Sequence, residues 1–243
     1  MKRLRVLMTR QEIAPERLAG ATSVVIDVLL ATTTLVTAFD NGAHHVFPAQ
    51  SLEEADEVLG RLDASNTLRG GEQDAERIDG YELGPYPGEY SPEVVAEKDV
   101  IFVTTNGTRA LANAAPSEKV LVGCLRNAPA IAHYLQDSET DSIYLICAGS
   151  GGRFILEDFL GASSILSYMH TEDWHLNDAA WMALDFARNY QDREMEALKH
   201  GRAGRWFVEN DRQQELEFVG DVGASDLVAQ VVDGRLRRVP DAT

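Results

Sequence analysis

The sequence predicts an α/β fold with a mostly parallel sheet, and three observations carry that expectation. Short apolar runs rich in β-branched residues alternate with stretches of helical period, which is the pattern of βα units. Three of the runs end in oxygen-bearing side chains that enter a turn just before a helical segment, as strands of a parallel sheet do. At 243 residues and 44% hydrophobic content, the chain is long enough to bury a full core without staples.

The first strand is expected at residues 23–28, where Val24, Val25 and Ile26 make a β-branched run, followed by a helix at 31–40. A second helix at 52–61 has apolar residues at helical spacing. Residues 70–92 are dense in Gly, Pro, Tyr and acids without a period, and are expected as a long loop of functional character. Strands follow at 100–103, 119–122 and 142–147, separated by helices at 110–114 and 128–137, with a further helix at 158–170. Residues 174–199 are helical in pattern. There Ala179, Ala180, Met182, Ala183, Phe186 and Ala187 make a broad apolar face, either buried or facing a second copy in a homodimer. Leu216–Val219 and residues 227–232 are expected as short strands, the second closed by a turn at Asp233-Gly234. One domain over residues 1–243 fits best, with a lobe boundary near 121–130.

Lys and Arg number 22 against 39 Asp and Glu, a net charge of −17. Such a field repels nucleic acid and anionic lipid, so neither is an expected partner. Basic residues are mostly arginine, with lysine only at Lys2, Lys98, Lys119 and Lys199. An acidic, lysine-poor surface suits a salt-rich cytosol, where screening removes self-repulsion. No apolar run reaches the roughly 18 residues of a membrane span, and residues 1–6 turn polar too soon for a signal peptide. A cytoplasmic location is expected. Cys124 and Cys147 lack the spacing of a disulfide framework or a zinc site and are expected as buried thiols.

The segments that carry chemistry are Val24-Val25-Ile26-Asp27 with Ala31-Thr32-Thr33-Thr34, Thr104-Thr105-Asn106-Gly107-Thr108-Arg109, and Ala148-Gly149-Ser150-Gly151-Gly152-Arg153. At the carboxyl ends of parallel strands they converge on one crevice. There, hydroxyls, glycine-exposed amides and helix N-termini can hold an anion such as phosphate. Asp27 ends an apolar strand and is either a cap or a hard oxygen ligand for Mg²⁺ or a nucleophile. Thr32 and Thr33 open a helix, where a capping role is the simpler reading. Asn106 and Gly107 form a turn or an oxyanion site before the helix led by Arg109. Glu157 and Asp158 open the next helix and either favour its dipole or, with Asp27 and Glu72, supply carboxylates to a divalent metal. His200-Gly201-Arg202 follows a helix end, where His200 either meets exposed carbonyls or takes part in binding or proton transfer. No P-loop lysine and no zinc spacing occurs.

The same strings, joined by Gly80-Tyr81-Glu82-Leu83-Gly84, Glu89-Tyr90, Gly152-Arg153-Phe154, Leu156-Glu157-Asp158 and His200-Gly201-Arg202, resemble in order those of the 2-phosphosulfolactate phosphatase (ComB) family. The resemblance runs from about Val24 to Val239. It implies a three-layer ComB-like fold and a Mg²⁺-dependent phosphatase that converts 2-phosphosulfolactate, a small phosphoester, to 3-sulfolactate and phosphate. In methanogens that step leads towards coenzyme M. The implied catalytic carboxylates are Asp27, Glu72 and Asp158. The implied metal ligands are Asp27, Glu72, Glu157 and Asp158, and the implied substrate contacts are Thr32, Thr33, Thr105, Asn106, Gly107, Arg109 and Arg153. Three departures stand out. Leu30 occupies the position of a family arginine, Ile155 that of a serine, and Gly84-Pro85-Tyr86-Pro87 replaces a Gly-Asn-Ser-Pro string. An arginine beside a metal carboxylate is a natural fork for phosphate or sulfonate. Its loss leaves two rival readings: a non-catalytic small-anion-binding relative, and a phosphatase with a changed, less acidic substrate.

Overall fold

The computed structural model describes residues 1–74 and 76–239. Position 75 of the expected loop and the last four residues of the expected single domain lie outside it. In chain order the elements are β1 (Arg3–Leu7), β2 (Thr22–Ile26), α1 (Ala31–Asp40), β3 (His45–Ala49), α2 (Leu52–Leu59), β4 (Thr67–Gln73) and β5 (Glu76–Arg77). Next come α3 (Pro92–Val95), β6 (Asp99–Val103), α4 (Gly107–Ala114), β7 (Lys119–Gly123), α5 (Ala128–Asp137), β8 (Ser142–Cys147) and α6 (Leu156–Ser167). The chain finishes with β9 (His175–Leu176), α7 (Asp178–Tyr190), α8 (Glu194–His200), α9 (Arg202–Glu209), α10 (Gln213–Val219), β10 (Ala229–Val232) and β11 (Arg235–Arg238).

A seven-stranded sheet in the order β11-β10-β7-β2-β8-β1-β9 is parallel from β7 to β9, and the β10–β11 hairpin closes its other edge antiparallel. β2 is buried along its whole length because both faces are covered, which is why it reads as an unbroken apolar run. Its alternate residues part accordingly. Val24 and Ile26 pack with α5, α6 and α7, while Val25 packs with α1 and α4 on the opposite face. The result is a three-layer α/β unit.

A second sheet, in the order β3-β6-β4-β5, lies beyond α1 and α4, so those helices are enclosed between two sheets. Every residue of α1 from Ala31 to Ala38 is buried for this reason. Val100 and Phe102 of β6 face α1 and α4, while Ile101 and Val103 face α2.

Several expectations change. Residues 70–92 begin inside β4 and include β5, since Gly70 and Gly71 pair with Phe102 and Val103 of β6. A side chain at Gly70 would meet the Tyr90 hydroxyl at 1.9 Å, so strand pairing here requires glycine, the residue that disguised the strand. Leu216–Val219 lie in helix α10, not a strand, because Leu216 and Val219 fall three apart on one buried helical face. The 174–199 helix is interrupted between α7 and α8 at Asp192, whose φ is 62°. β1 and β3 join the sheets although their sequences, charged or proline-bearing, hide it. The Asp233-Gly234 turn between two strands is as expected, and Cys124 and Cys147 are buried free thiols. Ala180, Ala183 and Ala187 of α7 are buried within the chain, while Trp181 and Met182 are exposed. Among the described residues no helix is long and apolar enough to cross a membrane.

Candidate active site

The carboxyl ends of β2, β6 and β8 meet at a cleft of about 560 Å³. Asp27, Leu29, Leu30 and Ala31 form one wall, Glu72, Thr104, Thr105 and Asn106 a second, and the Gly149–Gly151 turn with Ile155 a third. Arg202, Ala203, Trp206 and Phe207 of α9 complete it. The three strand-to-helix junctions singled out from the sequence therefore do converge. The N-terminal ends of α1, α4 and α9 open on the same space. Helix N-termini carry partial positive charge and unpaired amides, so they favour an anion.

Asp27 is the buried carboxylate of the cleft. Its place is fixed by Thr32, whose hydroxyl donates to the Asp27 carbonyl at 2.8 Å and accepts from the Asp27 amide at 2.9 Å. Burial pushes the Asp27 carboxyl up to about 7, the nearby Glu72 and Glu157 charges add to the rise, and the amides of Ala31 and Gly107 oppose it. A carboxyl held near neutrality in a cleft is a candidate functional group.

Glu72 crosses from β4 to the β6–α4 turn. Its Oε1 accepts from the Thr105 amide at 2.6 Å and its Oε2 from the Thr105 hydroxyl at 3.1 Å. That hydroxyl in turn accepts from the Asp74 amide at 3.0 Å. Asp158, fully buried, ties two walls together: Oδ1 accepts from the Val28 amide at 3.0 Å and Oδ2 from the Gly149 amide at 2.9 Å. Burial pushes the Asp158 carboxyl well up, and the Asp27 charge adds to it. Glu157, also fully buried, accepts from the Gly204 amide of α9 at 2.9 Å through Oε1, while its Oε2 has no hydrogen-bond partner among the described residues.

Asp27, Glu72, Glu157 and Asp158 thus gather in one region, with Asp27 and Glu72 on the cleft surface and the other two behind it. Their oxygens do not make a group in which all lie within 4.8 Å of one another. Among the described residues that spacing is met by His44, His45 and Asp99, far along β6. Asp27, Glu157 and Asp158 have no ion pair among the described residues. Buried carboxylates without an ion-pair partner among the described residues, an orphaned Oε2 and an all-oxygen donor set suit a hard divalent cation.

The other expected residues divide. Asn106 lines the cleft, and its Oδ1 accepts from the Gly151 amide at 3.4 Å, joining two of the turns. Gly107 is buried where α4 approaches Asp27. Thr32 and Thr33 turn inward, the Thr33 hydroxyl donating to the Val28 carbonyl at 2.8 Å, so they position the β2–α1 turn and do not line the cleft. Arg109 is exposed and directs its Nε to the Gln50 carbonyl at 3.4 Å; Arg153 is exposed on the outer side of the glycine turn. Neither lines the cleft, and the basic side chain that does is Arg202. His200 is exposed and its carbonyl accepts from Arg205.

Sequence reading also passed over the aromatic side of the cleft. Tyr86 meets Phe207 edge-on at 6.1 Å, Phe207 meets Trp206 at 5.4 Å, and the Arg212 guanidinium lies 4.1 Å over the Tyr86 ring. Residues 85–90 are thereby pinned to α9 and α10. The available signal was a cluster of aromatics at Tyr86, Trp206 and Phe207 flanking motifs already singled out, but nothing local joins positions so far apart.

Fold and cleft define an α/β protein with an acid-floored site walled by helix N-termini. A family model described as 2-phosphosulpholactate phosphatase matches residues 7–234, and the chain belongs to that family. It is 35% identical over 219 residues to a protein of Caldanaerobacter subterraneus subsp. tengcongensis, covering 90% of each chain. With a protein of Symbiobacterium thermophilum it shares 37% over 223 residues, 91% of this chain and 95% of the other. With one of Thermotoga maritima it shares 35% over 213 residues, 88% and 90% respectively. Each of the three is named probable 2-phosphosulfolactate phosphatase.

Proposed function

We propose that the chain is a phosphoric monoester hydrolase that converts 2-phosphosulfolactate to 3-sulfolactate and phosphate with the help of Mg²⁺. The observation that carries this reading is Asp27, a buried carboxyl near neutrality facing a cleft lined by helix N-termini. Asp27 and Glu72 would hold the cation, and Glu157 and Asp158 supply negative charge behind them. When bound, Mg²⁺ neutralises phosphate oxygens and acidifies a water. The Asn106 side-chain amide and the first amides of α9 bind the phosphoryl oxygens, Thr105 holds Glu72 in place, and the Arg202 guanidinium holds the sulfonate or the carboxylate. Asp27, ionised once it holds the cation, orients the attacking water through its carboxylate. Tyr86, Trp206 and Phe207 limit access of bulk water.

The test is phosphate release from 2-phosphosulfolactate and a panel of small phosphoesters, with and without Mg²⁺, at high salt. Metal-dependent release from the sulfonated ester supports the proposal, and release only from less acidic esters would move the substrate. Binding of sulfolactate without release from any ester would turn the chain into an anion-binding relative.

Leu30 and Ile155 are both on the cleft wall, the positions where the resemblance leads one to expect arginine and serine. For Leu30→Arg we expect KM for this polyanionic ester to fall about 10-fold or more, as a charge-assisted fork replaces an apolar contact. Steady-state kinetics checks this. An unchanged KM would mean that Arg202 and the helix amides already saturate the anionic groups.

A further inference from the structure

We infer that His44, His45 and Asp99 form a second metal site, distinct from the cleft, for a borderline divalent cation of the Zn²⁺ class. One imidazole nitrogen from each histidine and one oxygen of Asp99 all lie within 4.8 Å of one another. His44 Nδ1 is 3.2 Å and His45 Nδ1 2.9 Å from the same atom, Asp99 Oδ1. In a tetrahedral site with bonds of about 2.0–2.1 Å, ligand atoms stand roughly 3.3 Å apart, so each histidine Nδ1 needs to move only a few tenths of an ångström from Asp99 Oδ1.

The arrangement is fixed by the backbone. His45 and Asp99 are paired residues of the parallel β3–β6 ladder, and the His44 amide donates to the Lys98 carbonyl at 2.8 Å. The cluster sits at the start of β6, whereas the cleft begins after its end at Val103, about 13 Å along the strand at a rise of about 3.3 Å per residue. The donor sets differ in kind. The cleft offers oxygens alone, which suit Mg²⁺; two imidazoles and a carboxylate suit Zn²⁺ and its neighbours.

Both Nδ1 atoms lie within hydrogen-bond distance of Asp99 Oδ1, and an imidazole in the Nδ1–H tautomer donates to it. To ligate through Nδ1 it takes the other tautomer, the proton passing through solvent to Nε2, so no net proton is lost. His44 is 56% exposed at its side chain, which leaves a way in for the ion and room for water as the fourth ligand. Three protein ligands with an open position describe an exchangeable site rather than a closed structural one. This inference does not depend on the phosphatase reading.

The experiment titrates the full, tag-free chain with Zn²⁺ by calorimetry in excess Mg²⁺, which engages hard oxygen ligands and leaves imidazoles free. We expect about one equivalent bound by the parent chain, and binding weaker by about 10-fold or more in His44→Ala and in Asp99→Asn. Because His44 is exposed, its variant keeps the parent melting temperature without zinc and loses the zinc-dependent rise. Absence of saturable binding overturns the inference. So does binding that survives His44→Ala and disappears in Asp27→Asn, which would put the zinc in the cleft.

Discussion

Replacing Asp27 with asparagine abolishes turnover and, in Mg²⁺-free buffer, makes the protein harder to unfold as pH rises. The carboxyl is pushed from 3.8 up to about 7 by burial and by Glu72, so the fold favours its protonated form. That preference stabilises the fold fully below the unfolded value, and the contribution is lost as pH climbs through 7. Asparagine keeps the shape and never ionises. Its advantage is therefore small at pH 4 and reaches a few kcal/mol at pH 8, or about 5–10 °C in melting temperature for a chain of this size. On the proposed mechanism, phosphate release should drop by about 10³-fold or more, because the group that would hold the cation and orient the water is gone. Melting curves at pH 4, 6 and 8 with parallel activity measurements check both halves. A variant less stable than the parent at pH 8 would mean that Asp27 is compensated in the fold.

Gly107→Ala is the second change with a large expected effect. A methyl group there would stand 2.4 Å from Ala31 Cβ and 2.7 Å from Asp27 Oδ2, contacts that real atoms do not tolerate. The first turns of α1 and α4 meet at this glycine, and neither helix can retreat because both are enclosed between the two sheets. The strain is therefore taken up locally, by the β2–α1 turn that carries Ala31 and by the Asp27 carboxylate. A displacement near 1 Å at a reacting group costs about 10²-fold in rate, and the overpacking costs roughly 1–3 kcal/mol in stability. Kinetics and denaturant unfolding of the variant test the two effects separately. Unchanged kcat would show that the position of Asp27 is not critical to the reaction.

Much of the crevice was legible because its parts are local. Each wall is one short string in which a buried strand ends in Asp27, in Thr104-Thr105-Asn106 or in Gly149-Ser150-Gly151, and strand-end chemistry in a parallel sheet has a known direction. Several of the expected residues stand off the cleft wall, and for physical reasons. Arg109 and Arg153 belong to the right strings but point outward, and a string does not state which face of a turn its side chains take. Thr32 and Thr33 spend their hydroxyls on backbone carbonyls. Glu157 and Asp158 lie in the first turn of α6, where they face buried amides of other segments. Arg202, Tyr86 and Trp206 enter only through tertiary packing, which no local pattern reports. β4 was obscured by the glycines that let it pair so closely, and α10 by its brevity.

The strand order has a consequence for how the chain acquires this site in time. β1 begins the sequence yet pairs with β8, and the Val6 amide donates to Asn177, a partner 171 residues away. Ordering such distant partners costs loop-closure entropy before any contact repays it, so this topology folds slowly. Glu157 waits for the Gly204 amide on a later helix, and β7 for the terminal hairpin. During synthesis the acidic floor is therefore made well before its roof. The nascent chain carries its buried-to-be carboxylates in water, and enzymatic competence arrives as a late event, once the final helices dock.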